Sequence, residues 1–426
     1  MNLLRLALAY LVDRLGTTIL TILLLALGVA TVTVILLVGH QLRDRIGREI
    51  AGVDLVVGAK GSPLQLILSA VFQIDVPTGN VPLAEADIVR RHPLVASAIP
   101  IAMGDTAGGF RIVGTEPTLL EMRGAALARG RIWQAPMEAV LGAAVARASG
   151  LDLGATFVGA HGLGGTGFAH AEHPYTIVGI LAPTGTVLDR LILTAVESVW
   201  QVHAPARPQP TGPPAAEEHG AEAHGDGAHR HGEQEGHVAR RAPPEKAEIT
   251  ALLVRYRSPL AAVQLPRLVN AQPSLQAASP AFEAARLLAI VGFGLDAFRL
   301  VGIVLVTAAA LSVFVALSNA LEERRGDLAL MRVLGATRGL VFRSLLLEAL
   351  LLTGSGLVLG LVLGHSTVEV LAALFRQASE AGMTGWVLAP EELWLLPGVL
   401  GLGLLAASIP VIRAYRTDLA STLARA

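Results

Sequence analysis

The sequence predicts a membrane protein with four transmembrane α-helices and a large mixed α+β extracytoplasmic domain inserted between helices 1 and 2. Three observations predict this class. Of the 426 residues, 53% are hydrophobic and only 16% are charged, which is too few charges for an ordinary soluble surface. Four segments are each apolar over roughly 20 residues, the length that crosses a bilayer's hydrocarbon core. Between the first two lie residues 41–285, which contain no such run.

The four apolar segments set the boundaries of the predicted elements. Residues 15–39 contain no charged residue, and this run exceeds the ~7–15 apolar residues of a signal peptide, so we interpret it as a retained helix. The predicted elements are a cytoplasmic N-terminal helix at 1–14, transmembrane helix 1 at 15–40, the extracytoplasmic domain at 41–285, a stalk and transmembrane helix 2 at 286–320, a short cytoplasmic helix at 321–343, transmembrane helix 3 at 344–370, an extracytoplasmic loop at 371–392, transmembrane helix 4 at 393–412 and a cytoplasmic tail at 413–426.

Arginine placement predicts the orientation of these helices, because basic residues near the ends of spans stay on the cytoplasmic side. Arginines cluster before helix 1, between helices 2 and 3, and after helix 4. The loop between helices 3 and 4 contains only Arg376. We therefore expect a multi-pass protein with both termini in the cytoplasm and the large domain on the far side.

Composition excludes several classes of function. The net charge is −1, and Lys60 and Lys246 are the only lysines, so no basic stripe is available for a nucleic acid. The absence of cysteine excludes thiol catalysis, zinc–thiolate sites and iron–sulfur clusters. Neither a G-x-x-x-x-G-K-[ST] phosphate-binding loop nor a recognisable nucleophile motif is present. We predict that the chain itself is not an enzyme.

The large domain contains patterns of both strands and helices. Strand-like segments are rich in Val, Ile, Leu, Thr and Tyr and lie between Gly, Pro or charged residues. They are 137–142, 175–181, 190–196 and 249–257, and helical patterns occupy 83–91, 117–129 and 143–150. PLQLILSAVF at 63–72 is too short to span, and we favour a buried core helix over a membrane-surface helix. The glycine-rich segment 161–170 lacks the strand and helix of a dinucleotide-binding turn, so we interpret it as a loop.

Residues 203–245 form a histidine-rich insert of Pro, Ala, Glu, Gly and His with almost no large apolar residue. Such a segment buries too little surface to offset its ordering entropy, so we expect it to be disordered. Imidazole and carboxylate groups in this composition can hold zinc or another transition metal, and a solvated linker is the alternative interpretation. The candidate ligands are His219, His224, His229, His231 and His237, whose spacing matches no closed tetrahedral site.

The segment between helices 2 and 3 is unusually charged for this chain. Eight charged residues occur within the 22 residues 322–343, whereas Leu328, Met331, Val333 and Leu334 form an apolar stripe. This pattern predicts a short amphipathic helix between two spans. Such a helix, lying parallel to the membrane, offers a rigid surface to a soluble partner.

Predicted helix 3 contains both small residues and an ionisable one. Gly356, Gly360 and Gly364 follow one another at four-residue intervals, which lets another helix approach closely. The pattern fits a dimer interface or packing within one subunit, and both remain open. Glu348, in the same span, predicts pairing inside the membrane, for example with an arginine of the charged segment.

Three motifs together carry a family resemblance. They are ERRGDLALMRVLGATRGLVFRSLLLEALLL at 323–352, EAVLGAAVARASGLDLGATF at 138–157 followed by TIVGI at 176–180, and IPVIRAYRTDLASTLAR at 409–425. They resemble, in that order, the hallmark between two spans, the porter-like domain and the closing motif of the FtsX-like (MacB and LolC type) permeases of ATP-binding cassette transporters. The resemblance implies a bacterial cytoplasmic (inner) membrane protein with a MacB-like outer domain.

The resemblance also implies partners and a mechanism. Segment 321–343 would be a coupling helix that docks on separate nucleotide-binding ATPase subunits, which hold ATP and magnesium, while this chain binds no cofactor of its own. The implied coupling residues are Glu323, Arg324, Arg325, Asp327, Leu330, Arg332, Leu334, Gly335 and Arg338. A second permease copy, identical or different, would complete a dimer among membrane lipids, with an extracytoplasmic binding or adaptor protein as a further expected partner.

The expected function is transmission of ATP-driven motion to the outer domain for export or extraction of an amphiphilic cargo such as a lipoprotein, lipid, peptide or drug. One alternative is an FtsX-like signalling scaffold that controls a cell-wall hydrolase. Another is a metal-responsive, zinc-linked membrane complex. The size of the outer domain favours transport over signalling, because signalling members of the family have a smaller one.

Overall fold

The computed structural model of the protein describes residues 3–160, 172–203, 247–323, 337–375, 378 and 382–416. The chain divides into two compact units. The membrane unit combines Met1–Arg48 with Ala284–Ala426, and the outer unit is Glu49–Glu283.

Both helices and strands occur in the described residues. The α-helices are α1 (Leu3–Asp13), α2 (Leu15–Ile50), α3 (Pro63–Ala70), α4 (Leu83–Arg90), α5 (Thr118–Met122), α6 (Ala143–Ser149), α7 (Val196–His203), α8 (Ala261–Asn270), α9 (Pro280–Glu323), α10 (Arg338–Leu374) and α11 (Leu395–Arg416), with 3-10 turns at Val187–Arg190 and Pro390–Trp394. The strands are β1 (Leu55–Ala59), β2 (Val81–Pro82), β3 (Val95–Ala107), β4 (Phe110–Thr115), β5 (Leu127–Gly130), β6 (Glu138–Leu141), β7 (Thr156–Phe157), β8 (Tyr175–Leu181), β9 (Leu191–Ala195), β10 (Glu248–Ile249), β11 (Ala251–Tyr256) and β12 (Leu275–Ala278).

Within the described part of the chain, four helical segments are long and apolar enough to cross a membrane by length and composition. They are Leu15–Ile50, Pro280–Glu323, Phe342–Leu374 and Pro390–Ile409. Together with the mixed outer unit, they confirm the predicted fold class. All four helices extend beyond the predicted spans. Helix α2 continues through the polar sequence at 40–50, α9 begins at Pro280, α10 covers Arg338–Leu374 and α11 ends at Arg416. Gln, Arg and Glu residues in the extension of α2 are good helix formers, which favours continuation of the backbone hydrogen bonding.

Glycines allow the helices of the membrane unit to pack at short range. A Cβ atom at Gly28 of α2 would lie 3.0 Å from the backbone nitrogen of Val306 in α9. One at Gly403 of α11 would lie 2.1 Å from the Thr353 methyl group in α10. In lipid, this close van der Waals packing takes the place of a hydrophobic driving force between helices.

One large sheet organises the outer unit. Its strand order is β12-β1-β11-β3-β4-β9-β6-β8-β5. The short strand β7 lies outside this order and pairs antiparallel with the start of β8. The pairs β4–β9 and β6–β8 are parallel, and the other pairs along this order are antiparallel. A separate short pair joins β2 to β10.

Helices cover the sheet and supply its core. Leu66 and Ile67 of α3 are buried in a cluster with Val56, Ile101 and Leu253 of the sheet. Ser62 begins this helix, its hydroxyl accepting a hydrogen bond from the backbone N–H of Gln65. The segment at 63–72 is therefore mainly a core helix, as the sequence favours.

The predicted strands are confirmed, with one division. Segment 249–257 splits into the end of β10 and the whole of β11, because Ile249 pairs with β2 whereas Ala251 onward pairs with β1 and β3. The helical prediction at 117–129 is correct only for α5 and wrong at its end, where β5 forms an edge strand against β8. Segment 161–170 lies outside the described residues.

The predicted helix at 321–343 also needs correction at its ends. Residues 321–323 belong to α9, and residues 338–343 belong to α10. Both flanking helices thus continue for a few residues into the charged segment, so the helix ends do not coincide with the ends of the apolar sequence. Residues 324–336 lie outside the described part.

Candidate functional site

The first candidate site lies in the membrane unit, where α9 enters the charged segment. The Arg14 guanidinium forms an ion pair with the Glu323 carboxylate. Arg14 lies between α1 and α2, so this pair ties the N-terminal helices to the end of α9. Because the Glu323 side chain is exposed, the pair contributes at most about 1 kcal/mol to stability. The pair is of interest for its position, because it joins the charged segment to the N-terminal helices.

A small cleft of about 20 Å³, lined by both polar and apolar residues, adjoins this ion pair and has room for about one water molecule. Buried Glu348 of α10 lines it together with Arg14. The remaining lining residues are Tyr10, Leu11, Thr17, Thr18, Thr21, Ala316, Leu317 and Leu352. Beside the cleft, the hydroxyls of Thr21 and Ser312 lie 3.2 Å apart and join α2 to α9. Four helices thus line the cleft, and the hydroxyl and charged groups that share it with Glu348 come from α1, Arg14 and α2.

The three glycines of α10 face α2 of the same chain. A Cβ atom at Gly356 would lie 2.6 Å from the Leu25 side chain. At Gly360 it would lie 2.5 Å from Cβ of Val29 and 2.8 Å from a backbone oxygen of α2, and at Gly364 2.7 Å from Cβ of Thr33. Of the two interpretations left open by the sequence, this geometry corresponds to packing within one subunit.

The structure describes only part of the predicted coupling site. Glu323 ends α9, and the backbone of Arg338 begins α10. The other predicted coupling residues, from Arg324 to Gly335, lie outside the described residues, so their role stays a prediction. Pairing of Glu348 with an arginine of that segment stays a prediction for the same reason.

The five predicted metal ligands, His219, His224, His229, His231 and His237, also lie outside the described residues. Of the insert 203–245, only His203 is described; its Nδ1 lies 2.8 Å from the backbone oxygen of Val199, and its Nε2 lies 3.6 Å from the Asp105 carboxylate. Among the described residues, no group of three or more His, Asp and Glu side chains is arranged to hold a metal ion. Metal binding by the insert therefore remains a hypothesis from sequence.

A second polar cluster lies at the other end of α2. Gln41 Nε2 donates to the backbone oxygen of Thr384 at 2.8 Å, and the Thr384 N–H donates to Gln41 Oε1 at 3.0 Å. Glu369 of α10 accepts hydrogen bonds from the Thr384 hydroxyl at 3.0 Å and from the Gly385 N–H at 2.8 Å. Two long helices therefore hold the same short stretch of the chain before α11.

His365 and Glu392 extend this cluster. His365 Nδ1 donates to the backbone oxygen of Gly385 at 2.5 Å, and its Nε2 lies 2.9 Å from Glu392 Oε2. Glu392 is buried, and its other oxygen accepts from the Ala389 N–H at 3.1 Å. Both ring nitrogens of His365 therefore face oxygen atoms of the chain before α11.

In the outer unit, one arginine holds the last turn of α2. Arg123, just after α5, donates to the backbone oxygens of Glu49 and Ala51, the latter at 3.1 Å. These carbonyls have no helical partner at a helix C-terminus, where a cation is also favoured by the helix dipole. Burial lowers the pKa of the Arg123 guanidinium, and the nearby Glu49 carboxylate opposes that shift.

Sequence reasoning did not identify Gln41, His365, Glu369 or Glu392 as candidates. A signal was present, because His365 and Glu369 are polar residues within predicted helix 3, as Glu348 is. Arg14 and Arg123 gave no comparable signal. Both are ordinary basic residues whose partners are distant in sequence.

Two family matches accompany this geometry. Residues 18–211 match the MacB-like periplasmic core domain, and residues 299–419 match the FtsX-like permease C-terminal domain. No curated protein sequence matches the chain.

Solved structures similar to this chain include the periplasmic region of MacB from Actinobacillus actinomycetemcomitans, with 11% identity, a TM-score of 0.34, and coverage of 57% of this chain and 97% of that one. Another is the extracellular domain of the noncanonic ABC-type transporter YknZ from Gram-positive bacteria, with 8% identity, a TM-score of 0.30, and coverage of 52% and 98%.

Proposed function

Because the chain belongs to the FtsX- and MacB-type permeases of ATP-binding cassette transporters, we propose that it transmits ATP-driven motion of a separate ATPase to its outer unit. Permeases of this family work with such ATPases, dimerise, and are generally non-enzymatic membrane components. The observation that carries the proposal is the presence of both family domains in one chain. The MacB-like match at 18–211 covers most of α2 and the larger part of the outer unit, and the FtsX-like match at 299–419 lies in the membrane unit.

The proposed path begins at the charged segment 321–343. Docking of an ATPase there would move the adjoining ends of α9 and α10. The Arg14–Glu323 ion pair supports this path, because it links the end of α9 to the N-terminal helices. Glu348 and the hydroxyls around its cleft give these helix ends a polar contact that can rearrange without exposing apolar surface.

From that end, motion would pass along α2. At the three glycines, α10 packs so closely against α2 that no space remains for a Cβ atom. The two helices should therefore move together rather than slide past each other. The last residues of α2 belong to the outer unit, where Arg123 holds the carbonyls of Glu49 and Ala51. A displacement of α2 would therefore reach the residues bonded to Arg123.

The proposed work is export or extraction of an amphiphilic cargo, such as a lipoprotein, lipid, peptide or drug. The 235 residues of Glu49–Glu283 support this form of the function, because the expected signalling branch of the family has a smaller outer domain. Control of a cell-wall hydrolase is the competing outcome. Comparing cargo release from membranes with hydrolase activation, in strains with and without the chain, separates the two.

Substitutions in the charged segment test the proposed coupling. The membrane complex, copurified with its ATPase, would be reconstituted with Arg332→Asp or Leu334→Asp. We expect both variants to lose stimulation of the ATPase while still inserting into membranes. Matched controls are Arg91→Asp and Leu268→Asp, at exposed positions of the outer unit. Normal stimulation in both segment variants would refute the proposed docking site.

A further inference from the structure

The short stretch of chain before α11 combines a fixed backbone with exposed large apolar side chains. Residues 382–394 are called the outer-end loop. Its lipophilic side chains are mostly exposed: Trp386 by 86%, Leu388 by 77%, Leu393 by 72% and Trp394 by 79%. We propose that the outer-end loop is a rigid aromatic platform seated in the headgroup region of the bilayer, with phospholipid as its occupant. This inference goes beyond the proposed function and does not depend on an ATPase.

The backbone of the platform is held from two long helices. Gln41 of α2 exchanges two hydrogen bonds with the backbone of Thr384, and Glu369 of α10 binds the Thr384 hydroxyl and the Gly385 N–H. These four bonds fix the stretch immediately before Trp386. The Trp386 side chain is thus exposed even though the backbone beside it is held in place.

A second set of contacts holds the other half of the loop. Buried Glu392 accepts from the Ala389 N–H and contacts His365, whose other nitrogen donates to Gly385. A Cβ atom at Gly385 would lie 2.2 Å from the backbone oxygen of His365, so this close approach requires glycine. The polar groups of the loop face the helices while the large apolar groups do not.

Lipid is the occupant that the surroundings favour. Leu374 at the end of α10 is 73% exposed, and Leu396 at the start of α11 is 43% exposed, so the platform continues the apolar surface of two helices that can span a membrane. Trp has an apolar ring and a polar N–H, and it concentrates at the interface between hydrocarbon and water. The Arg43–Glu391 ion pair, at 3.1 Å, supplies charged groups at the same end. Apolar, aromatic and charged groups therefore occur together, as a bilayer interface requires.

Tryptophan fluorescence of the full-length chain in phospholipid nanodiscs tests the platform. The chain contains four tryptophans, so Trp→Phe substitutions leave one at a time. The matched control retains only Trp133, which is buried in the core of the outer unit. Acyl-chain-brominated phospholipid probes contact with lipid, and acrylamide probes contact with water. We expect brominated lipid to lower the emission of Trp386 and of Trp394 at least about two-fold more than that of Trp133.

Each remaining outcome would overturn the proposal. Quenching of Trp386 and Trp394 by acrylamide alone would place the platform in water. Protection from both quenchers would mean that protein, such as a second copy or an adaptor, covers it. Gly385→Ala tests the rigid seating, because it displaces Trp386 without altering any tryptophan. In that variant we expect brominated lipid to quench Trp386 less than in the chain with Gly385, whereas quenching of Trp133 stays unchanged. Equal quenching of Trp386 with and without the substitution would show that the platform is not rigid.

Discussion

Replacement of Gly360 by alanine tests the packing of α10 on α2 most directly. The added Cβ atom would lie 2.5 Å from Cβ of Val29 and 2.8 Å from the backbone oxygen of Ala26. Carbon atoms pack at about 3.5–4.0 Å, so the two helices must separate by about 1 Å or more. The Ala26 oxygen belongs to the α2 backbone and cannot rotate away. The strain must therefore spread along the helix pair.

The magnitude follows from two opposing effects. Overpacking of a close contact destabilises by about 1–3 kcal/mol, whereas Gly→Ala in a helix stabilises by about 0.8–1 kcal/mol. Gly354 of the same helix is the matched control, because a Cβ atom there meets nothing within 4 Å. Gly354→Ala carries only the stabilising effect. The two variants should therefore differ by about 1–3 kcal/mol, with Gly360→Ala the less stable.

Thermal unfolding of the purified chain in detergent measures this difference. At about 2–4 °C per kcal/mol, we expect the Tm of Gly360→Ala to lie about 2–12 °C below that of Gly354→Ala. Because the contact lies within one chain, the gap should not change with protein concentration. Equal Tm values, or a gap that grows as the protein is concentrated, would refute intrachain packing of the glycine row.

Three further predictions concern charged groups and the insert. Glu323→Arg should reduce ATPase stimulation in the reconstituted complex, and the swap Arg14→Glu with Glu323→Arg should restore part of it; failure of rescue would leave the ion pair without a role in coupling. Hydrogen bonds from Arg131 and backbone N–H groups lower the pKa of Glu138 to about 2 from the ordinary 4.5, so its stabilising effect is present above about pH 4.5 and lost toward pH 2. The Tm deficit of Arg131→Gln should accordingly shrink as the pH falls through that window, and a constant deficit would contradict this linkage. Deletion of 205–242 should abolish zinc binding measured by calorimetry if the insert is the metal site, and unchanged binding would exclude it.

The sequence predicts the membrane spans well because each depends on local composition. A run of about 20 apolar residues has few alternatives to a spanning helix. The family resemblance likewise rests on contiguous motifs, and both family matches support it. The four-residue spacing of Gly356, Gly360 and Gly364 predicts that another helix packs closely there. The spacing alone does not identify α2 as that helix.

The remaining features depend on pairing between distant residues. Segment 117–129 reads as one helix because its periodicity is local, whereas β5 forms through its pairing with β8 about 50 residues later. The His365 and Glu392 contact joins α10 to a turn 27 residues onward. Arg123 contacts backbone oxygens that lie more than 70 residues earlier. Such contacts carry no local periodicity, so sequence patterns leave them undetermined.

The position of β1 in the outer sheet has a consequence for biogenesis. This strand, at Leu55–Ala59, lies between β11 and β12, which the ribosome makes about 200 residues later. At about 5–20 residues per second, an interval of roughly 10–40 s separates synthesis of β1 from synthesis of its neighbours. During that interval its hydrogen-bonding edges are open to other chains. We therefore expect a holding chaperone to bind the outer unit during its synthesis and translocation. The sheet can close only after β12, its last strand, has been made.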